Sequence, residues 1–78
     1  SAIDWHALQN ASIRAFILFM SNSSEQHLLV TDDDGKSLRG IVSASDIARA
    51  LHLDINLVTP VSFKLIHNEV MSIKQHAA

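Results

Sequence analysis

Residues 28–51 read LLVTDDDGKSLRGIVSASDIARAL, and the periodicity of this stretch decides the fold. Alternation beginning in His27-Leu28-Leu29-Val30-Thr31 predicts a strand. It breaks at Asp33-Asp34-Gly35-Lys36, where glycine supplies the positive φ that a two-residue hairpin turn demands. A second strand is expected over Leu38-Arg39-Gly40-Ile41-Val42. The period then changes. Ser43 and Asp46 stand three apart ahead of Ile47, Ala48, Ala50 and Leu51. In that spacing a serine hydroxyl caps the first free amides of a helix, and a carboxylate at the third helical position returns a bond to the serine amide.

Working upstream, Ser12 is placed to cap a helix in which Ile13, Phe16, Ile17 and Met20 fall at i, i+3, i+4 and i+7, a face suited to covering the sheet. Ala11, Ala15, Leu18 and Phe19 extend the apolar stripe around a second side. A helix apolar on most of its circumference is buried on most of it, so another subunit or domain is expected to cover the remainder. Asn22, Ser23 and Ser24 end this helix. Before it, Ile3, Trp5, Ala7 and Leu8 alternate weakly around Asp4 and His6, which predicts a short strand near His6 to Leu8.

Downstream, the apolar residues from Leu53 to Val58 suit a short strand or an ordered connection. Thr59-Pro60 marks the next boundary, because proline is tolerated at the first helical position and threonine is an acceptable cap. Val61, Phe63, Ile66, Val70 and Ile73 then recur at near-helical spacing with Lys64, Asn68, Lys74 and Gln75 turned away, predicting a helix from about Pro60 to Gln75. The chain has no internal repeat and no low-complexity segment.

At 78 residues the chain is one small domain, of a size that buries only about 60% of its unfolded surface. Without cysteine there is no disulfide or thiolate metal site to reinforce it, which leaves oligomerisation or a neighbouring domain. A formal net charge of −2 disfavours nucleic acid and anionic membranes as partners. The longest strongly apolar run, Ala15 to Met20, is far short of the ~20 residues that span a bilayer, so no membrane insertion is expected. With no signal peptide pattern, a cytoplasmic setting is the expectation. The start at Ser1 suits a piece of a longer protein.

The run Asp32-Asp33-Asp34-Gly35 invites a calcium-loop reading, which fails on spacing. With Gly35 as the loop glycine, the first and last ligand positions fall on Val30 and Ile41, which offer no side-chain oxygen. The five histidines, His6, His27, His52, His67 and His76, show no metal-ligand spacing. No nucleophile elbow or other catalytic context is present, and no catalytic residue or required cofactor is assigned. Ser43, Ser45 and Asp46 are the candidates that remain. Amides and hydroxyls at a helix start hold phosphate, whereas a carboxylate repels phosphate and accepts from two adjacent ribose hydroxyls. The serines are therefore assigned to phosphate and Asp46 to sugar.

Val30-Thr31-Asp32, Gly35, Leu38, the run Gly40-Ile41-Val42-Ser43-Ala44-Ser45-Asp46-Ile47 and Ala50-Leu51 together resemble the second half of a CBS domain, the regulatory module named after cystathionine β-synthase. Ile13 to Met20 resembles its first helix, and the interval from Met20 to Val30 has the usual length. The resemblance runs from about Leu8 to Leu51. It implies an α/β (α+β) fold, a β-α-β-β-α unit with a core over about residues 8–52, here followed by the C-terminal helix at about 60–75.

It also implies half of a Bateman module. Such a unit pairs with a second CBS unit, as a homodimer or with another domain, and an adenine nucleotide or adenosyl compound sits between them. AMP, ADP, ATP and S-adenosylmethionine are the ligands to expect. The family's Ser/Thr-x-x-Asp signature carries over onto Ser43 and Asp46, and Ser45 and Asn10 join them as nucleotide-binding candidates. Phe16 stands where the family usually has a small residue, and Leu29 replaces a common proline. Phe16 and the broad apolar helix suit an alternative, a structural dimerisation domain without ligand.

Overall fold

The computed structural model describes residues 2–76, the side chain of His76 excepted. In chain order these form β1 (Ala2–Asp4), α1 (Trp5–Asn10), α2 (Ile13–Met20), β2 (His27–Thr31), β3 (Leu38–Ser43), α3 (Ala44–Ala50) and α4 (Phe63–His76). The strands make one sheet in the order β1-β2-β3, with β1 parallel and β3 antiparallel to β2. This is an α+β unit, as the strand and helix periods of residues 28–51 require.

Three boundaries differ from the sequence reading. The strand expected near His6 to Leu8 is helix α1, and the strand lies earlier, at Ala2–Asp4. Capping outweighs a three-residue alternation here: the Asp4 carboxylate accepts the Ala7 amide at 2.7 Å, and Asp33 accepts that of His6 at 3.2 Å. The hairpin connection is also longer than two residues. The Asp32 amide donates to the Ser37 carbonyl at 2.8 Å and the Gly35 amide to the Asp32 carbonyl at 2.9 Å, with Gly35 at φ 72°. A bulge between Val30 and Thr31 accommodates the extra length.

The last helix begins at Phe63 rather than Pro60, and Ser62 caps it by accepting the Leu65 amide at 3.2 Å. Val61 and Phe63 are both buried. Residues two apart share a face only in extended chain, so the segment before α4 stays extended. The Phe63 amide fixes it there by donating to the Glu25 carbonyl at 2.8 Å. Leu53 to Val58 is an ordered connection, not a strand.

Met20, Leu28, Ala44, Ala48, Val61, Phe63 and Ile66 form the buried cluster, with Phe16, Val42, Ile47 and Val70 packed around it. α4 therefore completes the core against α2 and α3. Ile17 is buried as the helical pattern requires, but Ile13, on the first turn of α2, stays exposed in a shallow groove beside Leu53, Val70 and Ile73. On the other side of α2, Leu18 and Phe19 are exposed. The sheet also carries exposed apolar side chains: Leu29 and Ile41, cross-strand partners, are 43% and 58% exposed. Among the described residues, no helix is long and apolar enough to cross a membrane.

Candidate functional site

The site is built where β3 turns into α3. Ser43 ends the strand in extended geometry, φ −92° and ψ 147°, and its hydroxyl accepts the Asp46 amide at 3.1 Å. The next residue is tied back to the sheet, because the Ala44 amide donates to the Gln26 carbonyl at 2.8 Å. That bond extends the β2–β3 ladder, in which His27 stands opposite Ser43. The start of β2 and the start of α3 are thereby held side by side.

Between them lies a shallow cleft of about 320 Å³, closed on the third side by the 57–61 turn. Gln26, His27, Ser43, Ser45 and Thr59 supply its polar lining. The turn keeps its shape through Asn56, whose side chain accepts the Val58 amide at 3.0 Å and whose carbonyl accepts the Thr59 hydroxyl at 3.1 Å.

Asp46 stands beside this cleft rather than in its lining. The bonds it receives from Ser43 and then from Arg49 hold its carboxyl below the ordinary carboxylate range, and the nearby His27 adds to the effect. Arg49 Nη1 donates to Asp46 Oδ1 at 2.9 Å, with both side chains largely exposed. The carboxylate is thus an ionised acceptor whose present partner is a surface guanidinium. A pair this exposed exchanges readily, so a sugar diol could take the place of Arg49.

Ser43, Ser45 and Asp46 come together at one helix start, as their spacing implies. Asn10 does not join them. It ends α1, where its amide donates to the His6 carbonyl at 2.8 Å, and it lines a different cleft of about 350 Å³. That cleft, between α1 and α2, is nearly all apolar and is walled by Ile3, Ala7, Ala11, Phe16 and Phe19. Phe16 accordingly lies against the core and this apolar cleft, and it does not line the cleft of Ser43 and Ser45.

The sequence reading missed Gln26, His27 and Thr59 as lining residues. The first two are set beside Ser43 by the hairpin register, which depends on the bulge between Val30 and Thr31 and is not readable from the local pattern. Among the described residues, no group of three or more His, Asp or Glu could hold a metal ion.

Compared with known families, residues 7–53 match the CBS domain, which is more than half of the chain. No curated protein and no solved structure matches the chain.

Proposed function

The chain belongs to the CBS domain family, and on that premise we propose that it is a non-catalytic regulatory unit that pairs with a second copy of itself and binds an adenine nucleotide or adenosyl ligand. Units of this family are generally regulatory. The observation that carries the reading is the turn from Ser43 to Asp46, which sets two hydroxyls in a polar cleft and an ionised carboxylate beside it. Hydroxyls suit phosphate and a carboxylate suits a ribose diol.

Pairing is supported by the sheet. Leu29 and Ile41 form an exposed apolar cross-strand pair. A two-fold arrangement buries such a patch against its own copy. The whole of residues 1–78 is taken as one unit, with α4 as part of its core, working in the cytoplasm as a module of a larger assembly.

A thermal-shift screen with AMP, ADP, ATP and S-adenosylmethionine tests the reading. Ligand at 100 times its Kd stabilises a fold by ~2.7 kcal/mol, on the order of 10 °C in Tm for a domain this small. A second reading, ligand-free dimerisation, is favoured by the apolar cleft between α1 and α2 and by exposed Leu18 and Phe19. No shift with any of the four compounds, in a protein that sediments as a dimer, selects that reading.

A further inference from the structure

Asp46 lies in the first turn of α3 and Arg49 in its last, three residues on. Arg49 Nη1 donates to Asp46 Oδ1 at 2.9 Å, and the two side chains are 63% exposed for Arg49 and 68% for Asp46. The carboxylate proposed to meet a sugar therefore already has a cationic partner from its own helix.

A vicinal diol sets one O–H on each carboxylate oxygen, so it calls on Oδ1 and Oδ2 together. Arg49 holds Oδ1, and its positive charge weakens the carboxylate as an acceptor for the diol. Displacing Arg49 returns a guanidinium to water, at the small cost of breaking an exposed ion pair. That cost shrinks as salt screens the two charges. Pairs at this spacing also steady a helix. The steadying role shows in Tm, whereas competition shows in ligand affinity.

We infer that Arg49 is an intramolecular competitor for the ribose acceptor, so that the Asp46–Arg49 pair is the closed state of the sugar subsite and ionic strength sets how readily it opens, a role that rests on the nucleotide reading of this site. Both side chains project into solvent, so replacing Arg49 leaves the core intact.

Calorimetric titration with adenosine tests it, on the unmodified protein and on Arg49→Met, which keeps most of the bulk and removes the charge; AMP serves as the control for a working site. Adenosine is uncharged, so salt acts on the pair and not on an attraction of the ligand itself. In dilute salt Arg49→Met should bind adenosine about threefold more tightly than the unmodified protein, the scale of one exposed ion pair. From about 50 to about 500 mM salt the affinity of the unmodified protein should rise toward that of the variant, whose own affinity should stay level. A variant that binds adenosine no more tightly, whether or not its Tm falls, overturns the inference alone, as does a gain that is undiminished in concentrated salt. AMP binding without measurable adenosine binding by either protein also overturns it alone, because the sugar contact would then be too weak for Arg49 to regulate. Failure of AMP and adenosine alike to bind either protein overturns the nucleotide reading and the inference with it.

Discussion

The Ser43 hydroxyl accepts the Asp46 backbone amide at 3.1 Å, so the two residues proposed to meet a ligand are already joined as the cap of α3. Cap and ligand contact draw on different parts of the hydroxyl, since a lone pair accepts the amide whereas a phosphate oxygen takes the O–H as its donor.

Ser43→Ala and Ser45→Ala separate the two roles. Loss of the Ser43 cap should lower stability by about 1 kcal/mol in urea unfolding. Ser45 lines the cleft without capping the helix, so its loss should change stability by less than about 0.5 kcal/mol. Both should weaken nucleotide binding. A Ser45→Ala protein with undiminished affinity would remove that residue from the phosphate site.

The end of α3 carries a second test of local physics. His52 sits at φ 54°, with its amide on the Arg49 carbonyl at 3.2 Å and the Leu53 amide on that of Ala48 at 3.0 Å. This is the left-handed helix stop that glycine usually occupies. Relief of about 1–2 kcal/mol of backbone strain outweighs the ~0.5–1 kcal/mol entropic cost of glycine. His52→Gly should therefore raise Tm, and a lowered Tm would show that the imidazole makes a contact worth more than the strain.

Phe63 is 1% exposed at the centre of the core, yet it lies outside residues 7–53. Phe63→Ala should cost about 3–5 kcal/mol, a large part of what a chain this short possesses. A fragment ending at Leu53 should lack cooperative unfolding by circular dichroism. A cooperative melt from that fragment would show that α4 is an accessory and not part of the core.

For pairing, Ile41→Glu places a charge on the outer face of the sheet without touching the core. Sedimentation should show a dimer for the unmodified protein at tens of micromolar (about 7 kcal/mol or more of association energy) and a monomer for the variant. Identical sedimentation of the two would move the interface elsewhere, with the exposed side of α2 as the next surface to alter.

Much of this was legible in the residues. β2, β3, the Ser12-capped α2 and the Ser43-capped α3 follow from period and cap chemistry, and the family resemblance rests on the same positions. The failures share a cause: tertiary hydrogen bonds and packing overrode a local pattern. Asp33 reaching the His6 amide helps to make α1 where alternation suggested a strand. Glu25 holding the Phe63 amide delays α4 by three residues from its expected start at Pro60.

The bulge at Val30/Thr31 has the largest consequence. Continued without it, the pairing of Thr31 with Leu38 would set His27 opposite Val42, whereas the bulge brings His27 opposite Ser43. A one-residue slip thus decides which residue of β3 stands opposite His27. Nothing in the local sequence announces it.

Calorimetric titration of Asp46→Ala with whichever of the four adenosyl compounds gives the largest thermal shift tests the central claim most directly. Loss of the ribose acceptor should weaken binding by about tenfold or more, the scale of one polar contact to a charged group, while the variant remains folded. Undiminished affinity in a folded Asp46→Ala protein would contradict the assignment of this site.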